Sequence, residues 1–390
     1  MGGVALGRGD LTRARVAVAA PAYDRFATWR RGPALALLLA VLGLLLASAL
    51  VPLTVGRGEV AVPPRIGAAR TAAVAERPRD ADLALYDRAI YRIRGGENYY
   101  AFIVSEHRRA DYPVRPGVAV RLPTLAYLDA AMGVDGDRPA PVAMAAAVAL
   151  MLGVIAAWWG RLGELSVDPS VRRMGTALVF FGASLGLNRY YYVLHELWAG
   201  MLVALALGLH RPEKGRWLGA VLAAGLALAI REHGMPFVLL MGAMAAWRGA
   251  WREAAVWGLL VVLFGAGLAW HLHLIAAQTL PSDPVGPSWL ALRGLSGFLS
   301  NTVLSSNLRF LPHAVAGPLT VLMLLGWAGW RSSAGVTGLL FFLGYAVLFG
   351  IAGRNDNFYW GAVITPAMAL GLAFVPMAGA SLVRAALGRA

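Results

Sequence analysis

Pro33-Ala-Leu-Ala-Leu-Leu-Leu-Ala-Val-Leu-Gly-Leu-Leu-Leu-Ala-Ser-Ala-Leu-Val51 contains no charged side chain. A bilayer core of about 30 Å is crossed by roughly 20 apolar residues in helical form. This run is therefore read as a transmembrane helix. Working outward, the same criterion marks Ala140–Gly160, Met174–Leu187, Leu197–Leu209, Trp217–Ile230, Met235–Trp247, Ala254–Ala277, Pro312–Trp330, Gly335–Gly353 and Trp360–Ala378. The expected fold is an all-α membrane protein of about ten transmembrane helices with a large first outer loop containing amphipathic surface helices. Residues 1–32 form a cytoplasmic tail and 33–390 a single transmembrane domain, including the outer loop 52–139.

Composition agrees. Of the 390 residues, 58% are hydrophobic and 14% charged, against about 25% charged in soluble domains. Cysteine is absent, which excludes disulfides and thiol chemistry. Lys214 is the single lysine and arginine supplies the rest of the +14 net charge, a bias expected of a GC-rich bacterial genome. A basic balance can signal nucleic acid, but these arginines mostly flank apolar runs, as topology signals do. Nucleic acid is not an expected partner.

The tail holds Arg8, Arg13, Arg15, Arg25, Arg30 and Arg31, which places the N-terminus in the cytoplasm. Ten crossings then put Arg161, Arg172, Arg173, Arg211, Lys214, Arg216, Arg248, Arg252, Arg331, Arg384 and Arg389 inside. One alternative joins 217–230 and 235–247 into a single interrupted span and inverts everything downstream; the charge rule favours ten spans. Ala47-Ser48-Ala49 offers small residues for signal cleavage, but the apolar run exceeds a 7–15-residue h-region. An uncleaved anchor is expected.

The outer loop is irregular in composition to about Arg79. From Asp80 the pattern changes. Leu83, Tyr86, Ile90 and Ile93 fall on one helical stripe, with Asp87, Arg88, Arg92 and Arg94 opposite. This predicts a helix lying on the membrane surface, apolar side in the interface, ended by Gly95-Gly96. Further helices are expected over 99–109 and 122–132, with Tyr112-Pro113-Val-Arg-Pro116 extended or turning between them.

A short tail, one span, then a long outer loop with an early acid, a Tyr four residues on, Gly before Tyr and later Pro resembles the GT-C superfamily of integral membrane glycosyltransferases. Protein O-mannosyltransferases, lipid A aminoarabinose transferases and polyprenyl-phosphate-sugar mannosyltransferases belong to it. The matching residues are Asp82, Tyr86, Gly96, Tyr99/Tyr100 and Tyr112-Pro113. The topology matches along the chain and the sequence only over about 80–125. A stretch of roughly 25 residues before Asp82 departs from the pattern and leaves Asp80, Asp82 and Asp87 as alternatives. The resemblance implies sugar transfer from a polyprenyl-phosphate donor to a lipid, glycan or protein acceptor, at the outer face of a bacterial inner membrane. Such a transfer needs a carboxylate base, here Asp82 with Asp87 as second candidate. It also needs cations for the departing phosphate.

Polar clusters at the predicted outer helix ends supply those cations: Asn188-Arg189-Tyr-Tyr-Tyr192 with His195-Glu196, Arg231-Glu232-His233, Arg309 with His313 near Asn301 and Asn307, and Arg354-Asn-Asp-Asn-Phe-Tyr-Trp360. Arg231, Arg354, Arg189 and His195 are the donor-phosphate candidates, with Glu196, Glu232, Tyr86 and Tyr100 supporting. Each cluster also has a structural reading, as interface aromatics or helix-terminal acids. Arg231 stands apart, because a charge inside 31 mostly apolar residues is costly and by default functional. His271 and His273 point about 200° apart on a helix, so no metal is expected; no cofactor other than the lipid-linked donor is implied. A transporter or flippase would carry charges at mid-span. An O-antigen-type polymerase or ligase would place its large loop later in the chain, and a scaffold would not need Asp82.

Overall fold

The computed structural model describes residues 21–55, 59–60, 80–136, 140–165 and 167–389. The tail to residue 20 and the irregular stretch 61–79 lie outside them. The described chain is helical apart from a small antiparallel hairpin, Thr54–Val55 with Glu59–Val60. Five helical stretches are long and apolar enough to cross a membrane: α1 (Arg31–Leu50), α5 (Pro141–Glu164), α10 (Trp251–Ala276), α13 (Ser333–Ile351) and the run Thr365–Ala386. Shorter apolar helices are α7 (His195–Leu209), α8 (Leu218–Ile230) and α12 (His313–Gly329). In α10 only 11% of the most apolar window is buried within the protein. Leu39, Leu50, Leu222, Val262 and Leu263 all stand at least 60% exposed. So much apolar surface is stable only against lipid, and the chain is a membrane-embedded, multi-pass protein.

Ion pairs and caps sort the connections into two ends. At one end Arg161 grips Glu213 (2.9 Å) and Ser333, and Arg211 pairs with Glu164 (2.8 Å). His210 (2.8 Å) and Arg248 (3.1 Å) both meet Glu253, and Asp24 accepts from Ser381 (2.8 Å). At the other end Thr54 meets Ser300 (2.9 Å), Asp82 meets Tyr359 (3.2 Å), and Arg231 meets Glu196 (2.7 Å). α8 and α9 (Met235–Trp247) connect through Arg231–Gly234 at this second end. Their far ends return together, because His210 precedes α8 and Arg248 follows α9, and both hold Glu253. The pair is thus an up-and-down hairpin rather than one interrupted rod.

The segment between α1 and α5 folds into α2 (Ala81–Arg94), α3 (Tyr99–Arg109) and α4 (Thr124–Ala131) over its described residues. As expected, α2 ends at Gly95-Gly96, where Gly96 takes φ +88°, a conformation that favours glycine. Asn98 caps α3 by accepting from the Tyr100 N–H. The apolar stripe of α2 goes elsewhere than expected. Leu83, Tyr86 and Ile90 are buried in a protein cluster with Tyr99, Phe102, Ile103, Val193 and Ile275. The stripe therefore glues this segment to the bundle instead of floating on lipid. The polar face is held by Glu106, buried on α3, which accepts from Arg88 (3.2 Å) and Arg92 (2.8 Å).

α6 (Pro169–Ala183) and α11 (Gly294–Leu304) complete the bundle with α14 (Thr365–Met368) and α15 (Val375–Ala386). Small residues let these helices approach to backbone contact. A Cβ built on Gly326 would overlap the Gly371 carbonyl oxygen, and one on Gly200 the Ala362 carbonyl. Gly326→Leu forces α12 off that backbone, and overpacking costs about 1–3 kcal/mol; a lower melting temperature in detergent checks this. Asp129 on α4 is fully buried with both carboxylate oxygens unpartnered. Burial, then the nearby Asp87, pushes it up to about 8. The folded state binds this proton more tightly than the unfolded chain, so stability falls as pH rises from about 4 to about 8. Asp129→Asn is expected to raise the melting temperature at pH 8, with the gain vanishing near pH 4.

Candidate functional site

A cavity of about 660 Å³ opens at the end where the first loop packs. Its walls come from six distant segments, one of them the turn before α7 with Tyr191 and Leu194. Asp80, Asp82 and Leu83 belong to the start of α2; Tyr112, Pro113 and Arg121 to the strap between α3 and α4. Arg231, Glu232 and His233 form the apex between α8 and α9, and Gly286 and Trp289 belong to the loop after α10. Arg354 and Asp356–Trp360 line the opposite side. The charges are carried by the ends of helices and the apolar surface by aromatic rings, which suits a pocket taking an amphipathic ligand.

Asp82 sits half-buried in the first turn of α2, where the helix dipole favours a negative charge. Its Oδ2 accepts from the Tyr359 hydroxyl at 3.2 Å. Asp80, at the N-cap, also lines the cavity but is exposed. Asp87 lies one and a half turns further on, on the side near Gly136 and Asp129, and is absent from the cavity wall. Helix geometry separates it from Asp82: five residues turn the chain by about 500°, or 140° net.

Three guanidiniums line the cavity. Arg231 is buried and spends its donors on two carboxylates, Nε on Glu196 Oε1 (2.7 Å) and Nη1 on Glu232 Oε1. Both acids are among the residues expected from sequence to support the site. Burial opposes the charge of Glu232, but Arg231 prevails and holds it at about 2. Arg354 binds Asp356 with Nε (3.0 Å) and Nη2 (2.9 Å). Arg121 has no carboxylate partner among the described residues. Its Nε donates to the Tyr86 hydroxyl at 3.1 Å, and burial raises that phenol to about 12, so it stays neutral. Arg121 therefore brings to the cavity a guanidinium free of any direct ion pair among the described residues, steadied at longer range by the net negative cluster of Arg231 with Glu196 and Glu232.

Arg121 escaped the sequence reading. The signal was a single charge inside the apolar stretch Gly117-Val-Ala-Val-Arg-Leu122, the same criterion that marked Arg231. Other expected site residues lie outside the cavity. Arg189 is exposed at the start of a short turn. His195 is buried edge-on against Tyr86 (4.7 Å) with both ring nitrogens unpartnered. Tyr100 binds His271 Nδ1 (3.1 Å), tying α3 to α10. His273 stacks on Trp270. Asn301 holds Arg293 (3.1 Å) and Asn307 holds Ser184 (2.7 Å), away from the pocket. Among the described residues no group of three His, Asp or Glu is arranged to hold a metal ion.

These partners separate structural from accessible cations. Glu196→Ala leaves buried Arg231 short of a carboxylate and is expected to cost about 3–5 kcal/mol. Arg354→Ala, at a half-exposed wall, should cost under about 1 kcal/mol. Thermal unfolding of both variants in detergent checks the contrast.

No protein-family model matches the chain, and comparison with curated proteins and with solved structures gives no match either.

Proposed function

We propose that this chain is a membrane glycosyltransferase of the GT-C type, moving a sugar from a polyprenyl-phosphate donor to an acceptor at the outer face of a bacterial inner membrane. The observation that carries the reading is the presence in one cavity of a half-buried carboxylate, Asp82, and a guanidinium without a direct carboxylate partner among the described residues, Arg121. Asp82 removes the proton from the acceptor hydroxyl as its oxygen attacks the anomeric carbon. The bond from that carbon to the phosphate oxygen breaks, and the phosphate leaves with the electron pair. Arg121, with Arg354 across the cavity, steadies the charge that develops there. Arg231 serves the site from behind, as the keystone of the apex. Trp289, Tyr112 and Phe358 supply apolar faces for a lipid or sugar ring.

The reading requires ten crossings with the cavity outside. The five long apolar stretches and the shorter apolar helices α7, α8 and α12 support a multi-pass reading; the proposal counts α6 and α9 as the two remaining crossings. The arginine-rich set then faces the cytoplasm.

Two measurements test the proposal. Purified protein is incubated with tritiated polyprenyl-phosphate hexoses and pentoses and a membrane extract. Wild type should transfer label, Asp82→Asn should fall by at least about a hundredfold, and Arg121→Gln should raise the donor KM and lower kcat. Wild-type transfer with full activity in Asp82→Asn would move the base elsewhere. For topology, the cysteine-free chain takes single cysteines directly. Lys214→Cys and Arg252→Cys should both be shielded from an impermeant maleimide in intact cells, and Ser282→Cys labelled. Opposite behaviour of 214 and 252 would restore the interrupted span.

A further inference from the structure

The turn that carries Arg354 is wired to Asp82 through a one-way chain of hydrogen bonds. The Arg354 backbone N–H donates to Asn357 Oδ1 at 3.2 Å. Asn357 Nδ2 donates to the Tyr359 hydroxyl at 3.3 Å. The Tyr359 hydroxyl donates to Asp82 Oδ2 at 3.2 Å. The direction is not arbitrary. The Arg354 N–H can only donate, which fixes the oxygen of the Asn357 amide on its side and the nitrogen on the side of Tyr359. An amide nitrogen can only donate in turn, so the phenol accepts from it and turns its own hydrogen to the carboxylate. Asn357 is itself buried, so its amide is held in place rather than sampling both orientations.

A carboxylate in the first turn of a helix, half open to a cavity, has a broad torsion about its last bond. One fixed donor on Oδ2 removes that freedom and leaves Oδ1 for the acceptor hydroxyl. Resting on the glycosyl-transfer reading, we infer that Tyr359 is a positioning residue that orients Asp82 as the base, with Asn357 setting its direction. Tyr359 reaches the reaction only through Asp82. The relay also joins the element bearing Arg354 to the base, so the cavity's two chemical walls are aligned by one chain of donors.

The test uses the donor that wild type transfers. Tyr359→Phe removes only the hydroxyl; misplacing a reactive group costs roughly 10- to 100-fold. kcat is expected to fall by that factor with the donor KM within about twofold and the melting temperature unchanged. Asn357→Asp keeps the size but replaces the amide donor with an acceptor, so the phenol hydrogen turns away from Asp82. It should reproduce the kcat loss of Tyr359→Phe, and combining the two should add no further loss. Wild-type kcat in Tyr359→Phe overturns the inference while leaving the transferase reading intact. So does a loss shared equally by KM and melting temperature, which would make Tyr359 a packing residue, or an undiminished kcat in Asn357→Asp. If wild type transfers from no donor in the panel, the transferase reading falls and the inference falls with it.

Discussion

The buried contact of Arg231 with Glu196 is the constraint on which the site depends. Its side chains are 1% and 0% exposed, and an unpaired charge at such a place would cost several kcal/mol. The pair joins the start of α7 to the end of α8 and thereby closes the apex that floors the cavity. Everything above it is hung from other segments: the α2 acid from the first loop, Arg121 from the strap before α4, Arg354 from the turn after α13. At the opposite end Glu253 plays a comparable part, gathering His210, Arg248 and the Trp257 indole (3.3 Å) at the return of the same helices.

Between the two polar ends the bundle relies on close approach rather than on water-driven burial, since lipid chains are as apolar as leucine. Gly326 against Gly371 and Gly200 against Ala362 bring backbones together where any side chain would hold them apart. The second of these sets α7 against the segment 355–363, and so fixes the distance from Glu196 to the wall that carries Tyr359.

Much of this was legible in the sequence because its causes are local. The apolar runs, the end of α2 at Gly95-Gly96 and the span of α3 follow from length, period and backbone freedom. The partners of Arg231 were legible for another reason: a charge in an apolar run must be neutralised, and Glu196 and Glu232 were the acids at hand. The destination of the α2 stripe was not legible. Periodicity shows that Leu83, Tyr86 and Ile90 are covered, but it does not distinguish lipid from protein. Nor does sequence connect Tyr359 with Asp82, 277 residues away. His195 and Arg189 carried suitable chemistry at suitable helix ends, yet a turn of a few residues directs one into the interior and the other outward.

α8 and α9 are 13 residues each, a rise of about 20 Å, shorter than the roughly 30 Å of a bilayer core. On the proposed ten-span reading, the apex they share would be recessed by several ångströms relative to the ends of the 24- and 26-residue helices α5 and α10. Such a basin lowers the local permittivity around Asp82 and Arg121 without sealing them from the aqueous phase. On the proposed transferase reading, a lipid phosphate docking there would descend below the plane of its neighbours' head groups and shed part of its hydration. Its long tail would stay among the surrounding chains, so that on this reading the reacting carbon would meet the base in a place that is neither bulk water nor hydrocarbon.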